Sequence, residues 1–216
     1  MILRSEEQAR EWFAARSDLA PGAIQRLERL AGLLREENRR QNLVSAGTLD
    51  AIWVRHFADS VQLLDHVPRE TLSSPWLDLG SGGGFPGLVI AACRPDLAVV
   101  LVECRAKRET WLNRAKFELD LSFQVAGSRL ENLPSFPTSV ISARAFAPLP
   151  RLLALSTRFS TSQTQWLLPR GRGGRQELAA MPESVQAMFH VEQSLTDSDS
   201  VILVGRGVPP LRAKAR

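Results

Sequence analysis

The spacing of apolar residues splits the chain into a helical front part and an alternating strand–helix remainder. Between residues 5 and 66 the apolar positions recur at helical spacing. Ser5 with Gln8 predicts a capped start to a short helix around Trp12 and Phe13. Pro21 predicts the opening of a longer helix, with Ile24, Leu27, Leu30, Ala31 and Leu34 on one face and Arg and Glu on the other. After an interruption over residues 42–47, a third helix carries Ile52, Phe57, Val61 and Leu64 on its apolar side. A segment of this kind cannot join a sheet, so it is expected to pack on the flank of one as a cap.

From residue 76 the pattern changes to short, continuous apolar runs of the sort that parallel strands buried on both faces require. Leu77 with Leu79, then 97–102, 123–125, 140–141 and 166–168, are the expected strands. Helices are expected at 87–93, 105–119 and 148–159, with a helical turn at 128–132. In the second of these, Trp111, Leu112, Ala115 and Leu119 face inward, and Arg105, Arg108, Arg114 and Lys116 form a solvated face. Residues 189–193 and 201–205 read as two closing strands joined by an Asp/Ser-rich turn. The predicted fold is therefore α/β, a mainly parallel sheet with helices on both faces. Residues 1–66 form an N-terminal helical extension packed on the core, 67–207 the main domain, and 208–216 a basic tail expected to be disordered.

A chain of 216 residues with 44% hydrophobic content suffices for one well-filled α/β domain and a small extension. No stretch approaches the roughly 18 apolar residues of a membrane span. The charged start from Arg4 to Arg10 lacks a secretory apolar region, so no membrane association and a cytoplasmic location are expected. Cys93 and Cys104 have no metal-ligand spacing and form no disulfide framework; both are expected to be buried, and no metal is expected. The net charge of +4 and the isoelectric point near 9.8 make a nucleic-acid partner reasonable. Only Lys107, Lys116 and Lys214 among the 27 basic residues are lysine. A genomic bias towards arginine explains that as well as phosphate binding does, so only the sign of the charge is used.

The densest chemistry lies in the stretch from Trp76 to Gly87, where an apolar strand runs into clustered glycines. Gly80, Gly82 and Gly84 allow positive φ and close backbone approach to a ligand, with Ser81 and Phe85 inside the same turn. A triphosphate loop needs Lys and Ser or Thr after its last glycine, but Leu88 and Val89 follow Gly87. A hydrolase elbow needs glycine two residues before its serine, and Leu79 stands there. The dinucleotide pattern is satisfied by Gly82, Gly84 and Gly87. Asp78 argues against it, because a diphosphate would meet a like charge, whereas the sulfonium and ammonium of S-adenosylmethionine would meet an opposite one. Glu103 lies roughly 20 residues past the glycines, where an acid accepts hydrogen bonds from a ribose. Both ligands have that ribose, so Glu103 supports a nucleoside without choosing between them.

The run from Asp78 to Gly87, with Asn42-Leu-Val-Ser45 and Arg55-His56-Phe-Ala-Asp59-Ser60 upstream and Ser142-Ala-Arg144-Ala145 downstream, resembles the RsmG (GidB) family of small-subunit ribosomal RNA methyltransferases. The resemblance covers roughly residues 24–207, with the motifs in the family's order. It implies a Rossmann-like S-adenosylmethionine-dependent methyltransferase fold and transfer of a methyl group to N7 of guanine 527 in 16S rRNA. The implied partner is 16S rRNA or the small subunit, and a monomer is favoured. By resemblance the cofactor site comprises Asp78, Gly80, Ser81, Gly82, Gly84, Phe85 and Glu103, with Leu130 and Glu131 at the adenine and Arg144 beside it. Arg55 and His56 lie near the cofactor mouth in the family, and both are placed at the RNA, with Arg55 read as holding RNA phosphate. No catalytic side chain is assigned, because guanine N7 already has a free lone pair and needs no general base. The run 169–175 reads as a flexible cationic loop in which Arg170 and Arg172 meet RNA phosphates. The family commonly has lysine at the first of these positions, and Arg170 alters the donor geometry. An NAD-linked oxidoreductase and a non-catalytic RNA-binding module remain as alternatives.

Overall fold

In the computed structural model residues 2–67 and 73–211 are described. The front part is helical because its ends are capped and its apolar faces are shared. Ser5 caps α1 (Glu6–Ala14), its hydroxyl accepting from the Gln8 amide at 3.1 Å. The Gln8 side chain turns back to the amide of Arg4 at 2.8 Å, one residue short of the expected box. Helix α2 (Ala23–Asn38) starts two residues after Pro21, because Gly22 at φ 78° completes a turn first. Its Leu27, Leu30, Ala31 and Leu34 are buried. After α3 (Ala46–Leu49), the expected third helix is one continuous coil of changing pitch. A π-helix (Trp53–Ala58) passes through α4 (Asp59–Val61) into a 3-10 turn (Gln62–His66). The Glu6 carboxylate caps the start of the π-helix, accepting from the amides of Trp53 at 3.1 Å and Val54 at 2.9 Å.

The strands are β1 (Trp76–Leu79), β2 (Val99–Val102), β3 (Gln124–Ala126), β4 (Val140–Ser142), β5 (Gln165–Arg170), β6 (Phe189–Gln193) and β7 (Val201–Arg206). Among the described residues they form one seven-stranded sheet in the order β3-β2-β1-β4-β5-β7-β6. The first five run parallel, and β7 is antiparallel to both β5 and β6. Helices α5 (Gly87–Cys93), α6 (Ala106–Glu118), α7 (Leu149–Ser156), α8 (Gly174–Ala179) and α9 (Glu183–Gln186) complete the chain. Strand order reverses between β1 and β4, which opens a crevice at their carboxyl ends.

Alternation along each strand divides the buried residues between two faces. Trp76, Val99 and Leu101 face α1, α2, the π-helix, α5 and α6; Leu77, Leu79, Val100 and Val102 face α7, α8 and α9. Three expectations are corrected here. Residues 169 and 170 belong to β5 and Gly174 opens α8, so the expected flexible loop shrinks to 171–173. Cys93 is buried but Cys104 is exposed, just past the end of β2. The outward face of α6 is not wholly solvated, because Arg114 reaches Glu36 and Glu37 of α2 at 3.2 Å each. Of the expected disordered tail, 212–216 lies outside the described residues.

Candidate functional site

Two cavities open side by side at the carboxyl edge of the sheet, and Ala145 lines both. Ala145 holds φ at 54°, a left-handed backbone that a residue with a Cβ adopts at a cost.

The first cavity, about 510 Å³, lies over β1 and β2. Gly80, Glu103, Leu130 and Glu131 form part of its wall, four of the residues singled out in the sequence. At Gly80, with φ 65°, a Cβ would meet the Phe146 ring at 2.6 Å. Only glycine admits that approach. Glu103 is 5% exposed. One of its oxygens accepts from the Gly82 amide at 3.0 Å and the other from the Arg105 amide at 2.8 Å. The carboxylate is thereby fixed between the glycine turn and the start of α6. Phe146, Arg105, Arg108, Arg129 and Arg151 also line this cavity, and sequence reasoning had not placed them there.

The remaining glycine-turn residues lie beneath the cavity. Ser81, Gly82, Gly84 and Phe85 are buried. Asp78 is fully buried, its oxygens accepting from the Ser142 hydroxyl at 2.7 Å and the Gly87 amide at 3.2 Å. Burial raises its carboxyl above the usual range, against the pull of those hydrogen bonds. Asp78 therefore ties β1, β4 and the N-terminus of α5 together under the bend. The Trp111 indole N–H donates to the Gly83 carbonyl at 3.1 Å and holds the bend from the α6 side.

The second cavity, about 450 Å³, lies between the π-helix, the β4 end and the loop after β6. Arg144 organises it. Its guanidinium donates to the Arg55 carbonyl and the Asp59 carboxylate at 3.1 Å each, and to His56 Nδ1 at 3.1 Å, while lying 4.9 Å above the Phe85 ring. A guanidinium can only donate, so His56 Nδ1 accepts and the ring proton sits on Nε2, 2.9 Å from the Thr48 hydroxyl. The imidazole stacks on Phe85 at 4.6 Å. Burial, then the charges of Arg144 and Arg55, push its pKa down to about 3. His56 is thus a neutral, fully engaged spacer. Asp59 and Thr196 complete the wall, Thr196 donating to Asp59 at 2.9 Å. Asp59 stands i+4 from Arg55 on one helical stretch, a signal legible in the sequence; Thr196 has none.

The arginines read as RNA contacts are placed unevenly. Arg55 is 45% exposed at this cavity and pairs with Asp197 at 3.2 Å. Arg172 is 86% exposed and pairs with Asp199 at 2.6 Å. Arg170 is a correction: it contributes to the wall of the second cavity, but its side chain packs towards α8 and not into solvent. There it is 8% exposed, 3.3 Å from Glu177 and against Gly174, and burial lowers its pKa. Among the described residues no cluster of His, Cys, Asp and Glu has metal-binding geometry, and no helix is long and apolar enough to cross a membrane.

Solved structures share this architecture at low identity. A mutant of MtNAS in complex with S-adenosylmethionine superposes with a TM-score of 0.56 at 14% identity, covering 87% of this chain and 74% of that one. A TehB-like SAM-dependent methyltransferase from Corynebacterium glutamicum gives 0.53 at 14%, covering 83% and 97%. With the strand order and the crevice, they define the class of fold as the Rossmann-like fold of S-adenosylmethionine-dependent methyltransferases. In sequence, residues 23–201 match the GidB family, described as rRNA small subunit methyltransferase G. A relative of that name from Erythrobacter litoralis is 55% identical over 207 residues, covering 95% of this chain and 98% of the relative. Another from Novosphingobium aromaticivorans is 54% identical over 208 residues, covering 95% and 90%. The chain belongs to the rRNA small subunit methyltransferase G family.

Proposed function

We propose that this protein transfers a methyl group from S-adenosylmethionine to N7 of a guanine in 16S ribosomal RNA, at the position-527 guanine, acting on cytoplasmic small-subunit RNA. The observation that carries this reading is the pair of cavities sharing Ala145, one suited to a nucleoside-bearing donor and the other to a base. The donor side fits its cofactor on three features. Gly80 leaves a cradle that a Cβ would fill, Glu103 is a fixed carboxylate at the end of β2, and Leu130 is an apolar wall residue for a purine, with Glu131 at its edge. Asp78, Ser81, Gly82, Gly84 and Phe85 set the shape of the bend from below.

When bound there, S-adenosylmethionine supplies an activated methyl group on a positively charged sulfur. The chain's own work is alignment. Arg144, held by the Arg55 carbonyl, Asp59 and His56, fixes the ridge between the cavities, and Arg55 faces the side from which the base enters. His56, neutral and bonded at both nitrogens, has no lone pair free to take a proton. An acceptor without a proton to lose suits this site, and guanine N7 is such an acceptor. The test is to incubate the purified protein and labelled cofactor with small-subunit RNA from a strain lacking its own enzyme, then map the modified base. Label at one guanine, as 7-methylguanine, is the expected result; no incorporation would overturn the reading.

A further inference from the structure

Arginines cluster at the mouth of the donor cavity, where the cofactor gives them little to do. Arg105, Arg108, Arg129 and Arg151 line it, against two acids, Glu103 and Glu131. S-adenosylmethionine carries two positive groups and one carboxylate, so one arginine at most has a counter-charge to meet on it.

Three of these cations are scarcely paired. Arg105 and Arg129 are exposed, and their side chains make no hydrogen bond or ion pair with any described residue. Arg151, 71% exposed, comes no closer than 3.9 Å to Glu131. At the second cavity Arg55 is answered by Asp197 and Arg144 by Asp59, while Arg170, the third cation of its wall, is buried against Glu177 and out of reach of a phosphate.

Placement adds a second, independent observation. Arg105, Lys107 and Arg108 occupy the cap and first turn of α6, a helix of 13 residues. Cations there reinforce the positive end of the helix dipole and oppose folding. Glu109, the acid of that turn, lies against Gly127 at the β3 edge, and Glu103 is 3.8 Å from Arg108. Glu103 answers the helix end itself, through the Arg105 amide and Arg108, which leaves the side chains of Arg105 and Lys107 without an acid of their own among the described residues.

Resting on the methyltransferase reading above, we infer that the RNA phosphate backbone docks on the rim of the donor cavity, on Arg105, Arg129 and Arg151, and not on the run 170–175. The solvated face expected of α6 is, at its first turn, an RNA-binding surface.

The test compares wild type, Arg105→Ala/Arg129→Ala and Arg172→Ala in filter binding to 16S rRNA across a salt series. The slope of log affinity against log salt is expected to fall by about 1.4 to 2 in the double variant and to change little in Arg172→Ala. S-adenosylhomocysteine affinity, read by calorimetry, should fall by a clearly smaller factor than RNA affinity, and the urea midpoint should not fall, since cations leave a helix N-terminus. An unchanged slope in the double variant, with wild type still methylating RNA, would overturn the docking surface and leave the enzyme reading intact. Equal losses of cofactor and RNA affinity would assign the arginines to the cofactor and overturn it too. Wild type that neither binds nor methylates RNA would remove both.

Discussion

Gly82 and Gly87 share a turn but not a constraint. At Gly87 a Cβ would lie 2.3 Å from Leu101 and 2.7 Å from the Asp78 Cβ, in a wall that cannot retreat. At Gly82 the nearest neighbours are 3.5 Å away, and the cost comes only from φ 57°. Gly87→Ala should lower stability in urea by about 2 kcal/mol or more, as overpacked cores do, and Gly82→Ala by about 1 kcal/mol; equal losses would contradict this reading. His56 offers a titration of known sign. Its folded pKa of about 3 lies below its ordinary 6.5, so the unfolded chain takes up a proton that the folded chain refuses. The contribution is complete above about pH 6.5 and is lost as pH falls towards 3, at a rate approaching about 1.4 kcal/mol per pH unit. Urea midpoints of wild type should therefore fall more steeply from pH 7 to pH 5 than those of His56→Asn, and parallel slopes would refute it.

Where β4 ends and the π-helix passes, one side chain carries the geometry. Arg144 reaches three partners with a planar fork, which the single ammonium of lysine cannot reproduce. Arg144→Lys should cut the methyl-transfer rate about 10- to 100-fold through misalignment, while calorimetric affinity for S-adenosylhomocysteine falls less than about threefold. A large loss of affinity with an unchanged turnover rate would place Arg144 on the donor instead. Much of this neighbourhood could be read from the chain. Leu77 with Leu79 and the run 97–102 announced buried strands, and Glu103 emerged at a strand end. The pitch of the π-helix could not be read, because it is set by Glu6, 47 residues from Trp53, and by Arg144. The end of β5 was missed because Pro169 resembles a breaker. In the sheet Pro169 lies beyond the last β4 partner, Leu167, while pairing with Ile202, so its absent N–H leaves no ladder bond unmade.

Across the whole molecule, the helical front and the sheet share one interior. Phe13, Leu27, Leu34, Trp53 and Phe57 pack in the same buried cluster as Trp76, Leu88, Leu101 and Trp111. Residues 2–66 therefore bury their apolar faces against the sheet layer, and the sheet face beneath them would be exposed without them. Unfolding should be a single transition, with near- and far-ultraviolet circular dichroism changing at the same urea concentration; separate midpoints would show two independent units.

The indole of Trp111, tied to the Gly83 carbonyl, also makes the protein its own optical probe. The chain holds five tryptophans and no tyrosine, so its ultraviolet emission is indole emission alone. A nucleoside bound in the cavity above the bend is expected to shift the turn that Trp111 holds, and with it the environment of the ring. Titration with S-adenosylhomocysteine should change the fluorescence without any added dye, and Trp111→Phe should silence most of the change.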